Sequence, residues 1–207
     1  MNPKSTARKE RKLRWETQGK VNAESLDILI VGAGLSGITA GCRLKMSCPD
    51  KSFLILEARE AIGGTWDLFR YPGIRSDSDM YTFGFAFEPW TGEESIADGA
   101  EIVEYIRTTA TKYGVTRHIR YGTRVLAASW NSDSARWTVR VRQGEEEKLY
   151  ECRFFWVCTG YFSYQGGYQP QLPEMENYGG LVVHPQDWPE ELDWSGQKIV
   201  ILGSGAT

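Results

Sequence analysis

The stretch Asp27-Ile-Leu-Ile-Val-Gly-Ala-Gly-Leu-Ser-Gly37 decides the fold. After Asp27 it begins with a short, continuously apolar run rich in β-branched side chains, which is typical of a buried parallel strand. Three glycines follow with the spacing Gly-x-Gly-x-x-Gly, and a helical pattern then runs from Ile38 to about Met46. A second apolar run at residues 52–56 predicts the next parallel strand, so the segment forms one βαβ unit.

The glycine turn has the chemistry of a dinucleotide site. Gly32 permits a tight turn, Gly34 lets a pyrophosphate approach the backbone, and Gly37 allows the helix to pack closely on the strand. The helix N-terminus offers unpaired N–H groups to phosphate, and Ser36 adds a hydroxyl. Glu57 ends the second strand, 20 residues after the last glycine. An acid there binds ribose hydroxyls and repels a 2′-phosphate, which favours FAD or NAD over NADP at this turn.

Between FAD and NAD, the glycine pair Gly63-Gly64 and the residues after it favour flavin. A chain that returns over an isoalloxazine ring needs small residues, and Trp66 then supplies a flat apolar surface while Thr65 supplies a hydrogen-bond donor. A plain loop would also account for the glycine pair alone. Thr159 and Gly160 follow an apolar run and leave room for a dinucleotide at that strand end.

The remaining pattern predicts an α/β, Rossmann-like domain whose parallel sheet with helices carries a three-stranded antiparallel meander. The helical pattern continues over residues 99–113. Apolar alternation predicts strands at residues 123–130, 136–142 and 148–153, and residues 154–158 return to the parallel sheet. Residues 58–98 and 160–196 are rich in loops, and residues 198–202 predict another buried strand before a second glycine turn.

Composition excludes several classes of protein. The 207 residues are 41% apolar and 25% charged, with net charge −3, as in ordinary globular domains. No apolar run reaches the roughly 20 residues of a membrane helix, and no secretory signal is recognisable. The first 20 residues carry a charge of +5, which we interpret as a solvated arm without a nucleic-acid partner. Four cysteines without C-x-x-C spacing predict reduced thiols, a cytoplasmic protein and no metal site.

Two longer motifs carry a resemblance to a known family. Gly63-Gly-Thr-Trp-Asp-Leu-Phe-Arg-Tyr-Pro-Gly-Ile-Arg-Ser-Asp77 resembles the flavin loop of Baeyer–Villiger monooxygenases. Tyr178-Gly-Gly-Leu-Val-Val-His-Pro-Gln-Asp-Trp-Pro189 resembles their fingerprint F-x-G-x-x-x-H-x-x-x-W-P, with Tyr178 in place of Phe. Together with Arg75-Ser-Asp-Ser-Asp-Met-Tyr81 and Ala97-Asp-Gly99, they make residues 25–207 most similar to the ethionamide-activating branch.

The resemblance implies an FAD- and NADPH-dependent monooxygenase of the Baeyer–Villiger type. Such an enzyme inserts one oxygen atom of O₂ into a ketone, or oxidises sulfur in a thioether, through a flavin C4a-peroxide. Asp77 would tune the site of the flavin peroxide, unless it only caps a turn. The family's catalytic arginine would lie beyond Thr207. The implied FAD contacts are Gly32, Gly34, Ser36, Gly37, Glu57, Gly64, Thr65, Trp66, Asp67, Leu68, Asp77, Tyr81 and Val125. The implied NADP contacts are Arg75, Ser76, Asp77, Ser204, Gly205, Ala206 and Thr207. His184 is expected to be a hinge or structural residue.

The resemblance also implies a domain division. It comprises a basic disordered arm (1–24), an FAD-binding domain (25–162), a linker with the fingerprint (163–196) and the first strand and turn of a truncated Rossmann NADPH domain (197–207). We therefore expect an incomplete, poorly active fragment that binds FAD weakly or not at all. Two alternatives stay open: a non-catalytic truncated FAD-binding paralogue, and a flavin-containing N- or S-monooxygenase.

Overall fold

The computed structural model of the protein describes residues 23–203, and these residues form one mixed sheet with helices. The strands are β1 (Glu24–Val31), β2 (Phe53–Leu56), β3 (Ile119–Arg120), β4 (Thr123–Asn131), β5 (Arg136–Gln143) and β6 (Glu146–Val157). The helices are α1 (Leu35–Ser47), α2 (Thr65–Leu68), α3 (Met80–Phe83) and α4 (Gly99–Lys112). Short 3₁₀ turns lie at Thr116–His118, Met175–Asn177 and Pro185–Asp187. The strand order is β3-β2-β1-β6-β5-β4.

The parallel strands are buried on both faces, which explains their continuously apolar sequences. In β1, Ile30 packs with α1 and α4 on one face, whereas Leu29 packs on the opposite face with Val139 and Val141 of the meander. The side chains of β2 alternate between the same two clusters. Because successive side chains of a strand point to opposite faces, a strand covered on both sides needs apolar residues throughout.

Strand β6 joins the two halves of the sheet. Its first part, Glu146 to Cys152, pairs antiparallel with β5, and its second part, Tyr150 to Val157, pairs parallel with β1. Strands β4 and β5 complete the antiparallel meander. The predicted α/β class and the meander are therefore confirmed, although the two strands predicted at 148–153 and 154–158 are one continuous strand.

Other predicted boundaries differ modestly from the observed ones. Strand β1 begins at Glu24, inside the predicted arm, and α2 and α3 form within the segment 58–98 that is predicted to be rich in loops. Strand β3 forms between the predicted helix and the predicted meander, where the sequence predicts no element. The strand predicted at residues 198–202 is wrong for this structure, since Ile199, Val200, Ile201 and Leu202 are exposed and pair with no described strand. An isolated apolar run has no neighbour to satisfy its backbone groups. The rest of the domain division stays a prediction, and residues 1–22 and 204–207 lie outside the described residues.

No helix between residues 23 and 203 combines the length and apolar character needed to cross a bilayer.

Candidate functional site

The glycine turn lies between the carboxyl end of β1 and the start of α1. Gly32 has φ +102°, and its N–H donates to the carbonyl of Leu56 at 2.8 Å. A Cβ at this position would lie 2.4 Å from the carbonyl oxygen of Cys158, so only glycine fits. At Gly37, a Cβ would lie 1.8 Å from the carbonyl oxygen of Gly32. These two glycines therefore fix the turn and the contact between helix and strand.

The N-terminus of α1 points its free donors at the same place. Gly34 is the N-cap, the first turn contains no acidic residue, and no side chain caps the helix. Ile38 donates the first helical hydrogen bond to the carbonyl of Gly34, at 3.0 Å. The N–H groups of Leu35, Ser36 and Gly37 consequently have no partner four residues earlier in the helix, which makes this end attractive to an anion.

Glu57 is buried at the carboxyl end of β2 and holds two loops together. Its Oε2 accepts the N–H of Ala33 in the glycine turn at 2.8 Å, and its Oε1 accepts the N–H of Arg59 at 2.9 Å. Each carboxylate oxygen has two lone pairs, so Glu57 can still accept hydrogen bonds from a ribose.

A second glycine turn approaches the first. The Cα of Gly34 lies 2.9 Å from the position that a Cβ on Gly64 would take, and Gly64 has φ +59°. A side chain at residue 64 would therefore separate the glycine turn from the loop Gly63–Leu68, which we call the flavin loop. Thr65, Trp66 and Leu68 of this loop lie in α2, directly after the close approach.

A cavity of about 1080 Å³ lies between these loops and the edge strand β4. It brings together most of the residues predicted to contact FAD, from five separate segments of the chain. The predicted residues that line it are Gly32, Gly34, Ser36, Glu57, Gly64, Thr65, Trp66, Leu68, Asp77 and Val125. Asp77 is exposed at the cavity, and Val125 precedes a register shift in β4.

Other predicted contacts lie away from the cavity wall. Gly37 packs under the turn, and the side chain of Tyr81 is 65% exposed. Ser76 is buried, and its Oγ accepts the N–H of Ala97 at 3.1 Å. Arg75 is exposed next to it. The NADP contacts predicted at Ser204, Gly205, Ala206 and Thr207 fall outside the part of the chain that the structure describes.

Asp67 also faces away from the cavity, toward arginines. Its carboxylate is 5% exposed, and its Oδ2 accepts a hydrogen bond from Arg59 Nη2 at 2.7 Å. Its Oδ1 lies 3.3 Å from Arg107 Nη2 and 3.7 Å from Arg70 Nη2. The side chain of Asp67 is thus engaged in an ion-pair cluster beneath the flavin loop, and its contact with FAD stays a prediction.

Sequence reasoning missed two parts of the cavity wall. One is Arg59, which lines the cavity. The available signal for it in the sequence is a basic side chain two residues after the strand-end acid Glu57. The other is residues 161–165, which span the predicted boundary between the FAD-binding domain and the linker and close one side of the cavity. Phe162 contacts the ring of Phe69 at a centroid distance of 5.4 Å, and a Cβ on Gly64 would lie 3.6 Å from the Tyr164 hydroxyl.

The fingerprint histidine packs against a glycine of the segment after β6. The ring of His184 occupies the space that a side chain at Gly167 would need, and its Nδ1 accepts the N–H of Gln186 at 3.1 Å. The side-chain amide of Gln186 donates to the carbonyl of Ser163 at 2.9 Å. These contacts link the fingerprint to the segment that closes the cavity, and the role of His184 as a hinge or structural residue stays a prediction.

Two titratable groups at the site are kept neutral by burial. Burial raises the pKa of the Cys158 thiol, which lines the cavity. Burial, and then the nearby Glu57 carboxylate, raise the pKa of Tyr121. Both groups are therefore protonated at neutral pH, and among the described residues no cluster of His, Cys, Asp and Glu could hold a metal ion.

A strand, a glycine turn, a helix N-terminus and a strand-end acid define a dinucleotide-binding protein of the Rossmann class. Comparisons agree, because the family described as "NAD(P)-binding Rossmann-like domain" matches residues 30–91. The model of the family "Flavin-binding monooxygenase-like" matches residues 94–207, more than half of the chain. The chain therefore belongs to the flavin-binding monooxygenase-like family.

Individual relatives support the same assignment. The chain is 52% identical over 184 residues to FAD-containing monooxygenase EthA of Mycobacterium tuberculosis (strain ATCC 25618 / H37Rv), a match that covers 89% of this chain and 38% of that protein. An oxidized steroid monooxygenase bound to NADP is 30% identical with a TM-score of 0.70, over 83% of this chain and 33% of that one. An open cyclohexanone monooxygenase is 26% identical with a TM-score of 0.77, over 89% and 36%. The chain thus spans 38% of the length of EthA.

Proposed function

We propose that this chain forms the FAD site of a Baeyer–Villiger-type monooxygenase that uses NADPH and O₂. One observation carries the proposal: residues predicted from the glycine turn, the strand-end acid, the flavin loop and β4 line a single cavity of about 1080 Å³. The relatives named FAD-containing monooxygenase support the same cofactor.

The residues present fit FAD. Gly34 and Gly64 leave bare backbone where the two turns meet, and the uncapped N-terminus of α1 offers N–H groups to a pyrophosphate. Glu57 would bind the ribose hydroxyls, and the backbone at Val125 would meet the adenine. Thr65 and Trp66 would contact the isoalloxazine, with Asp77 nearby.

FAD, when bound and reduced by NADPH, supplies the oxygen chemistry, and the chain supplies position and shielding. The flavin loop and residues 161–165 would exclude water from one side of the ring, as oxygen transfer requires. Asp77 would hold a negative charge at the flavin and orient a cationic group there. Arg75 and Ser76, with residues 204–207, would serve the nicotinamide cofactor.

The proposed substrates are a small ketone or thioether together with O₂, and we propose a cytoplasmic location. All four cysteines are free thiols in the described chain, which suits a reducing compartment. Substrate class is tested by NADPH consumption with a ketone, a thioether and an amine in parallel. Consumption with the ketone or thioether supports the proposal. Consumption with the amine alone favours an N-oxygenating enzyme, whereas no consumption with any of the three is expected both of an incomplete fragment and of a non-catalytic FAD-binding protein.

The FAD site is tested by binding. FAD is titrated into the 207-residue chain and followed by flavin fluorescence, with ADP and adenosine 2′,5′-bisphosphate as competitors. The sequence alone leads us to expect weak or absent FAD binding, but the cavity that the predicted residues line leads us to expect saturable binding. ADP should displace FAD, and adenosine 2′,5′-bisphosphate should do so much less, because Glu57 repels the extra phosphate.

The variant Glu57→Gln removes that charge and one acceptor for the Ala33 or Arg59 N–H group. We expect FAD and ADP to bind about tenfold more weakly, since hydrogen bonds to a charged group are worth about 1.5–3 kcal/mol. The matched control is Glu60→Gln, a nearby exposed carboxylate outside the cavity lining, which should change both affinities by less than about twofold. No saturable FAD binding, or equal losses in both variants, would overturn the assignment.

A further inference from the structure

Arg59 connects the two loops that would hold opposite ends of FAD. Its backbone N–H donates to the Glu57 carboxylate in the turn at residues 57–59 after β2, which we call the ribose turn. Its guanidinium donates from Nη1 to the carbonyl of Gly64 at 3.2 Å and from Nη2 to Asp67 Oδ2 at 2.7 Å. The side chain of Arg59 is 26% exposed and that of Asp67 is 5% exposed, so the pair is largely removed from water.

The geometry of the Arg59–Asp67 pair is suited to orienting the flavin loop, and not only to neutralising charge. The planar fork of an arginine can reach two acceptors at once, and here the acceptors are the N-cap residue Gly64 and the carboxylate of Asp67 on the same loop. Lysine carries the same charge but has no fixed fork. Gly64 must also hold a positive φ while it lies against Gly34, so its carbonyl direction matters for both turns.

The two halves of the cavity depend on this side chain to different extents. The adenosine half is held by the Glu57 carboxylate, which receives the Ala33 and Arg59 backbone N–H groups. Changing the Arg59 side chain leaves both of those donors in place. The flavin loop has the Arg59 fork as its link back to the ribose turn, because Asp67 otherwise binds arginines outside that turn.

We propose that Arg59, oriented by the buried carboxylate of Asp67, is a positioning residue. It holds the flavin loop in the conformation that binds the isoalloxazine end of FAD. The inference rests on the proposed FAD site and adds a residue to it. It implies that losing the pair weakens the binding of FAD but not that of ADP.

The test compares FAD and ADP affinities of the 207-residue chain and three variants, using flavin fluorescence for FAD and calorimetry for ADP. Asp67→Asn keeps the shape and removes the charge that orients Arg59. Arg59→Lys keeps the charge and loses the fork. For both variants we expect about tenfold weaker FAD binding, the scale of one charged hydrogen bond, with ADP affinity within about twofold of wild type. Arg107→Gln removes another cation from the same carboxylate and is the matched control, with unchanged affinities.

A double-mutant cycle separates positioning from general damage. If Asp67 acts through Arg59, the double variant binds FAD no more weakly than the weaker single variant. Equal losses of FAD and ADP affinity would show instead that Arg59 serves the phosphates or the fold, and would overturn the inference. Arg59→Lys with wild-type FAD affinity would overturn it as well. Failure of the wild-type chain to bind FAD would refute the proposed function itself. Should Asp67→Asn not fold, Arg59→Lys and its FAD-to-ADP ratio decide the question.

Discussion

The most demanding contact in the site is the one between α1 and the glycine turn, and Gly37→Ala tests it. A Cβ at residue 37 would lie 1.8 Å from the carbonyl oxygen of Gly32. Real Cβ atoms hardly ever come within 3.0 Å of such an atom, so the helix or the turn must move by about 1.2 Å. The obstacle is backbone, which cannot rotate away as a side-chain terminus can.

Two opposing contributions set the size of the effect. Alanine gains about 1 kcal/mol over glycine in a helix. Overpacking that forces the backbone to shift costs about 1–3 kcal/mol, and occasionally more. Because the required shift is large and the neighbour is backbone, we expect the cost to reach or exceed the upper end, for a net loss of about 2 kcal/mol. In a chain of this length, such a loss lowers the melting temperature by roughly 4–8 °C.

Gly41→Ala is the matched control on the same helix. It receives the same gain in helix propensity, but its Cβ would meet side-chain atoms, Val115 Cγ1 at 2.8 Å and Ile55 Cδ1 at 3.1 Å. Val115 is buried, so this contact also costs stability, but methyl groups can shift further than a backbone carbonyl and the gain in helix propensity offsets part of the cost. Thermal unfolding and FAD titration are measured for both variants, and Gly37→Ala should lower the melting temperature and the FAD affinity more than Gly41→Ala does. If Gly37→Ala is as stable as Gly41→Ala, the close contact does not exist and the reasoning fails.

Two further predictions concern titratable groups. Burial lowers the pKa of His118, whose Nδ1 bonds the carbonyl of Phe53 and whose Nε2 faces Arg117. Because the folded pKa lies below the unfolded value of about 6.5, stability is complete above that pH and declines as the pH falls below it. Melting temperatures measured in that range should decline less in His118→Asn, and an unchanged slope would contradict the assignment. The raised pKa of Cys158 predicts slow alkylation at neutral pH, slowed further by FAD, whereas Cys48 lies outside the cavity lining and should be unaffected. Peptide mass mapping measures both rates, and equal protection of the two thiols would refute the placement of FAD.

The sequence was sufficient where structure depends on neighbours along the chain. Gly32 and Gly34 lie between the strand and the helix, and Gly37 lies in the first turn of the helix, so their roles could be assigned from spacing, and the turn has the expected form. Glu57 could be placed for the same reason, since it ends the second strand beside the first. The meander could be predicted because alternation of apolar residues is itself a local pattern.

The sequence was insufficient where a side chain chooses between distant partners. Asp67 follows Trp66 and was expected at the cofactor, yet the turn of α2 buries its carboxylate against Arg59 and Arg107. Such a choice depends on where α4 packs, which spacing does not reveal. The same limit applies to residues 198–202, since an apolar run becomes a strand only beside another strand.

A continuous chain of hydrogen bonds runs through the three loops of the site. Glu57 accepts one backbone donor from the glycine turn and one from the ribose turn, and Arg59 continues this chain of contacts into the flavin loop. Three loops of different sequence are therefore held in one arrangement by consecutive hydrogen bonds. Hydrogen bonds that restrict these loops reduce the entropy lost when a ligand binds, so the FAD affinity should depend on these links as well as on direct contacts. The local sequence motif predicts the position of Glu57, which makes the first link. The second link, from Arg59 to the flavin loop, can be identified only from the three-dimensional structure.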